Sequence, residues 1–120
     1  MKILKIALLS MIALGLAVSF TFAAGDVAKG KALFNDPKFA AGTKACNECH
    51  PGGNGLEKAG EKKEFSLGGK KQTGIEEAVN FCIVNALKGK AIDPKAEQMK
   101  DIVAYIKSLK PAVMPMKKGY

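Results

Sequence analysis

The sequence predicts a single small all-α domain, and three observations carry that expectation. Its 120 residues suffice for one domain and no more. Apolar residues recur at helical spacing in two stretches, Ile75 to Leu87 and Met99 to Leu109. No stretch of any length alternates apolar and polar residues as a half-buried strand does.

The first 23 residues read as an export leader rather than as part of the fold. Met1 to Lys5 is a short basic region, and Ile6 to Val18 is an apolar run broken only by Ser10 and Gly15. Thr21-Phe22-Ala23 then sets small residues at the positions signal peptidase inspects. Cleavage is expected after Ala23, with Ala24 as the alternative, giving a periplasmic or otherwise exported protein. The competing reading is an uncleaved membrane anchor, because Ile6 to Ala24 is long enough to cross a bilayer. No Cys lies near the cleavage point to take a lipid. The domain then occupies residues 24–120, which is 97 residues. A core of that size gives little stability by itself, and a cofactor or staple commonly supplements it.

Within the domain, Asp26 is expected to cap a first helix running to about Asn35, with Val27, Gly30 and Phe34 on one side. Pro37 stops it, since proline cannot continue the hydrogen-bonded ladder. A loop from Lys38 to Thr43 leads to Cys46. Pro51-Gly52-Gly53-Asn54-Gly55 is irregular, with glycine or proline at four of its five positions. Leu56 to Lys71 is charged and interrupted by glycine, with Phe65 and Leu67 as apolar anchors. Thr73 and Glu76 fit a capping box at the start of a helix whose stripe is Ile75, Val79, Ile83 and Leu87, with Gly89 as its terminator. Asp93-Pro94 suits a second helix start. Met99, Ile102, Val103, Ile106 and Leu109 form the buried face of that last helix, which ends before Pro111, and a tail follows.

The chain is formally +8, and its basic residues are all Lys. Loss of Lys2 and Lys5 with the leader leaves 17 Lys against 11 acids, formally +6. Nucleic-acid and phosphate readers rely on the bidentate Arg fork, so nucleic acid is not an expected partner. A Lys-rich surface suits brief docking on an acidic protein, where charge speeds encounter, and it serves solubility equally well.

Chemistry concentrates in Cys46-Asn47-Glu48-Cys49-His50. Covalent attachment of haem needs two thiols that add across the two porphyrin vinyl groups, and two intervening residues set that separation on one turn of chain. The His after the second Cys is then carried beneath the ring, where its imidazole binds iron from the proximal side. Cys46 and Cys49 are therefore expected to hold one haem c by thioether bonds, with His50 as the proximal ligand. A zinc site wants about four Cys or His ligands, whereas His50 is the sole His and Cys82 the one further Cys. A thioredoxin-like redox pair expects a strand-to-helix setting that the sequence lacks. A plain Cys46–Cys49 disulfide is the third alternative.

Gly25-Asp26-Val27-Ala28-Lys29-Gly30-Lys31-Ala32-Leu33-Phe34 ahead of C-x-x-C-H, with Asp101-Ile102-Val103-Ala104-Tyr105-Ile106-Lys107-Ser108-Leu109 near the end, resembles the class I c-type cytochromes. The resemblance covers both ends of the domain and little of its middle. It implies a small helical fold around one haem, in which the first helix crosses the last. Gly30 and Phe34 would then pack against Tyr105, glycine letting the two backbones approach closely. Gly89-Lys90-Ala91-Ile92-Asp93-Pro94 through Met99 is similar, less closely, to the cytochrome domains of bacterial thiosulfate-oxidising systems.

Class I cytochromes usually supply a Met sulfur to the second face of the iron from the loop before the last helix. Here that loop, Asn85 to Lys90, contains no Met. Met114 is taken as the sixth ligand, with Met99, Met116 and Lys88 as rivals. Five to seven extended residues span about 15–25 Å, so the tail carrying Met114 and Met116 has the reach to fold back over the ring, although a frayed terminus is the alternative. Met99 falls on the apolar stripe, where Met is commonly core filler. Lys88 would have to lose its proton to bind iron. A five-coordinate iron is a further alternative. Cys82 shares the stripe of Ile75 and Val79 and is expected to be a buried structural Cys, with thiolate ligation and an intermolecular disulfide as the alternatives.

The function expected from these features is a monomeric one-electron carrier between larger redox proteins, not an enzyme. The alternative is a haem protein whose open iron binds a small ligand or does redox catalysis.

Overall fold

The computed structural model describes residues 25–110. The expected leader and the tail from Pro111, with Met114 and Met116, lie outside the described residues. Four helices dominate: α1 (Val27–Phe34), α2 (Cys46–Cys49), α3 (Ile75–Asn85) and α4 (Glu97–Ser108). Between α2 and α3 the chain forms two short strands, β1 (Phe65–Leu67) and β2 (Lys70–Gln72), paired antiparallel with Phe65 opposite Gln72. The expectation of an all-α domain is corrected accordingly to a mostly helical domain carrying one two-stranded hairpin. The hairpin exists because Gly68 and Gly69 both adopt positive φ (57° and 74°), the two-residue turn that twists strands into pairing.

The Asp26 carboxylate accepts the Lys29 N–H at 3.0 Å and caps α1 as the sequence implies. The backbone N–H of Asp26 donates in turn to the buried carboxylate of Asp101 at 2.7 Å, so α4 holds the entrance of α1. The two helices cross at Gly30, where a Cβ would fall on the carbonyl oxygen of Asp101. That close approach is available only to glycine. One turn on, the Phe34 and Tyr105 rings meet edge to face with centroids 5.1 Å apart. Gly30 and Phe34 are buried, whereas Val27 is 46% exposed and stands off the packed side expected for it.

Phe34, Phe39, Ile83, Met99 and Ile102 are the largest fully buried side chains and centre the core. Each such side chain contributes roughly 1.5–3 kcal/mol through its removal from water. Ile75, Val79, Ile83 and Leu87 are all buried, as their fourfold spacing predicts.

Three boundaries differ from the sequence reading. The capping box at Thr73 uses Glu77 rather than Glu76, whose neighbour's carboxylate accepts both the Thr73 N–H at 2.7 Å and its hydroxyl at 3.0 Å. The last helix begins at Glu97 rather than at Asp93-Pro94, because the Asp93 carboxylate closes a tight turn on the Lys95 N–H instead. At the end of α3 it is Lys88, not Gly89, that takes positive φ (57°), and the Gly89 N–H then reaches back to the Ile83 carbonyl at 2.9 Å.

Two long-range ties place α3. The Asn80 side chain donates to the Ile92 carbonyl at 2.8 Å and accepts the Ile92 N–H at 2.9 Å, pinning the loop that precedes α4. The Thr43 N–H donates to the Leu87 carbonyl at 2.8 Å, and the Lys90 N–H to the Ala40 carbonyl at 2.8 Å, lacing the end of α3 to the segment before α2.

Candidate functional site

Helix α2 is a single turn, so Cys46 and Cys49 stand one above the other on the same face. The Glu48 carboxylate turns back to accept the Ala45 N–H, and the His50 N–H donates to the Cys46 carbonyl at 2.9 Å. Together these fix the turn and aim His50 beyond its end. The Asn47 side chain accepts the Gly52 N–H at 2.8 Å and curls the chain after His50. Gly53 allows the curl to tighten, because its φ is +84° and a Cβ there would strike the Leu109 side chain.

That curl brings the Asn54 carbonyl to 2.9 Å from Nδ1 of His50. A carbonyl oxygen only accepts, so Nδ1 carries the hydrogen, and in the neutral ring the lone pair then lies on Nε2. Metal-bound histidines are commonly held in this way, one ring nitrogen donating to a carbonyl and the other free for the metal.

Cys46, Cys49 and His50 border one cavity of about 280 Å³ that opens to solvent. Its floor is Phe34, Ile102 and Ile106 from the crossed helices, and Leu56, Phe65 and Leu67 come from the loop and hairpin. One face of α3 supplies Ile75, Ala78, Val79 and Cys82, and Ala86 and Leu87 follow just past its end. Among the described residues, Lys58 and Lys62 are the lysines of the wall. A largely apolar cleft of this order is the usual setting for an organic cofactor. The group implied by the C-x-x-C-H motif is a flat apolar ring with an iron at its centre and charged carboxylates on one edge. The residues present fit it: two thiols on one turn, an imidazole with Nε2 free, hydrocarbon walls and two ammonium groups.

Burial pushes the Cys46 thiol up to about 11, and the neighbouring Cys82 and Cys49 add to the rise. The Cys82 thiol is also raised, first by burial and then by Cys49. A thioredoxin-like pair needs a nucleophilic Cys held below its ordinary value, so the direction opposes that alternative. Among the described residues, no group of three or more His, Cys, Asp or Glu side chains converges to hold a metal ion by itself.

Cys46, Cys49 and His50, the residues of the C-x-x-C-H motif, all border the cavity. Met99 is fully buried in the core and does not border the cavity. Lys88 is exposed at the end of α3 and does not border it either. Cys82 does, from the middle of α3, and is half-buried. Lys58, Lys62 and the hairpin residues Phe65 and Leu67 join the wall without having been singled out for it. The only signal for the hairpin pair was their position as apolar anchors in a charged stretch, and for the two lysines there was none. Among the described residues no helix is long and apolar enough to cross a membrane. Comparison of the chain with models of known protein families gave no match, and comparison with the curated proteins gave none.

Proposed function

We propose that this chain is an exported monohaem c-type cytochrome that carries one electron at a time between larger redox proteins. The observation that carries the reading is the set formed by two thiols on one helical turn and a histidine with Nε2 left free, all bordering one apolar cavity. When bound, haem supplies the one-electron couple at its iron. Cys46 and Cys49 would hold the ring by thioether bonds, and His50 would bind the iron through Nε2. The Asn54 carbonyl keeps the imidazole in the tautomer that permits this. Phe34, Ile102 and Ile106 would keep water from the ring, and such burial is one lever on its potential beside the axial ligands. Lys58 and Lys62 at the cavity wall would steer an acidic partner to the ring edge, in complexes that are small and short-lived. Export is part of the same proposal, and the amino-terminal sequence of the mature protein, beginning at Ala24, tests it.

The reading is tested on purified protein made in cells competent for haem attachment. The expected result is a haem absorbance spectrum that survives acid-organic extraction, with reversible titration of one electron per chain. An extractable haem, or a colourless protein, would overturn it.

A second reading has one observation in its favour: no methionine among the described residues borders the cavity. An iron ligated by His50 alone would bind small molecules on its other face. Rapid spectral change when carbon monoxide meets the ferrous protein would support that reading against a sealed carrier.

A further inference from the structure

The walls of the cavity are tied together unequally. Asp101 holds the Asp26 N–H, and the Asn80 side chain holds both polar atoms of the Ile92 backbone. The end of α3 is laced to the segment before α2 through Thr43 to Leu87 and Lys90 to Ala40. The wall built by residues 57–72 has no tie of this kind. Among the described residues, its hydrogen bonds and ion pairs close three residues along the chain or across the hairpin, as between Lys71 and Glu64 at 2.9 Å. That segment meets the body by packing alone. A Cβ at Gly60 would lie 2.9 Å from Cγ of Lys107, so Gly60 is pressed against α4. At the hairpin turn a Cβ at Gly68 would lie 2.8 Å from the Phe81 ring of α3. Phe65 and Leu67, alternate residues of β1, border the cavity half-buried, while Ser66 between them is exposed. After β2, Gly74 takes φ 120° directly ahead of α3, a conformation that favours glycine. The hairpin thus runs between two small hinge positions, Gly60 seated on α4 and Gly74 at the start of α3. A unit with few apolar anchors and no hydrogen bond to the body opens at lower free energy than the helices around it.

We propose that residues 61–73 form a hinged lid on the cavity, which opens apart from the helices to admit a flat apolar ring and closes on it through Phe65 and Leu67. The identity of the ring rests on the haem reading above, whereas the hinge stands on the packing of this segment. Closure takes the remaining exposed surface of Phe65 and Leu67 out of water against the ring, so the occupant of the cavity holds the lid shut. Helices α1, α3 and α4 need no such occupant, because Asp101, Asn80 and Thr43 hold them. Lys62, Lys63, Lys70 and Lys71 are all exposed on the lid, and each is a cutting site for trypsin. Lys88 and Lys90 are equally exposed on the laced segment after α3 and serve as the internal control.

The experiment is native-state proteolysis by trypsin, with each cut placed by mass spectrometry. It compares the mature holoprotein with the same full chain made in cells that lack haem attachment. Intact mass is taken first, and a holoprotein preparation without haem mass overturns the haem reading. The cutting pattern judges the lid. In the holoprotein the first cuts are expected after Lys62, Lys63, Lys70 and Lys71, ahead of Lys88 and Lys90. In the colourless chain the lid cuts should come roughly tenfold faster, while those at Lys88 and Lys90 change little. Equal lid rates in the two chains, or first cuts at Lys88 and Lys90, overturn the proposal. A colourless chain cut everywhere at one rate has lost its fold, and the holoprotein of Phe81→Ala then decides. Phe81 lies outside the cavity wall, and its removal takes away the seat of Gly68. That variant should keep its haem mass and its slow cutting at Lys88 and Lys90, with lid cuts several-fold faster than in the wild type. Lid cuts at the wild-type rate in Phe81→Ala overturn the proposal.

Discussion

Nδ1 of His50 donates its hydrogen to the carbonyl oxygen of Asn54, four residues along the chain and 2.9 Å away. The partner is backbone, so no substitution of the Asn54 side chain removes it, and the loop conformation alone sets the tautomer. Removing the imidazole itself should be decisive. His50→Ala is expected to lower holoprotein yield on the order of tenfold or more and to abolish low-spin iron in what forms. Added imidazole should restore the low-spin spectrum of that fraction, read by visible absorbance. Unchanged spectra without imidazole would count against His50 as the proximal ligand.

The crossing of α1 and α4 supports the cavity floor, since Phe34 and Ile106 belong to both. Gly30→Ala forces the two backbones apart at Asp101 and is expected to cost more than about 2 kcal/mol. Phe34→Ala leaves a void beneath the Tyr105 ring and should cost roughly 3–5 kcal/mol. Denaturant unfolding of the holoproteins measures both, and losses below about 0.5 kcal/mol, the scale of ordinary surface substitutions, would contradict the crossing.

Asn80 does not touch the cavity, yet its two hydrogen bonds to Ile92 fix the loop between α3 and α4. Asn80→Ala strands the Ile92 N–H and carbonyl and is expected to destabilise by about 1–3 kcal/mol. Asn80→Asp keeps the acceptor and loses the donor, so it should fall between the wild type and Asn80→Ala. Thermal unfolding of the three proteins checks the order.

Lys58 and Lys62 border the cavity and are exposed, so their charge acts through solvent. Reversing both, Lys58→Glu with Lys62→Glu, is expected to slow oxidation of the ferrous protein by an anionic iron complex several-fold at low salt. The difference should fade as ionic strength approaches 1 M, where the screening length shrinks to about 3 Å. Stopped-flow absorbance across a salt series reads it. Equal rates at low salt would remove these lysines from the steering surface.

The legible parts of this molecule are those whose cause is local. Asp26 caps α1 because a carboxylate one residue ahead of a helix has a free amide within reach. The C-x-x-C-H turn is legible because its spacing matches one turn of helix. Gly30, Phe34 and Tyr105 were legible through resemblance, and their contact now has a physical reason at Asp101. The hairpin was not legible, because strands of three residues are too short to display alternation. Gly68-Gly69 was the signal passed over, a two-residue turn between Phe65–Leu67 and Lys70–Gln72. Cys82 was visible as a stripe residue, but a stripe has two possible clients, core and cavity. Only tertiary packing separates Ile83, sunk in the core, from Cys82 beside it on the cavity wall.

Cys46 and Cys49 are proposed to carry one haem together, and the intact mass of the denatured mature protein decides whether they do. The expected mass is that of residues 24–120 plus one haem, with the addition retained through denaturation and mapped to the peptide from Cys46 to His50. A mature chain at its bare mass, or two hydrogens lighter through a Cys46–Cys49 disulfide, would contradict it.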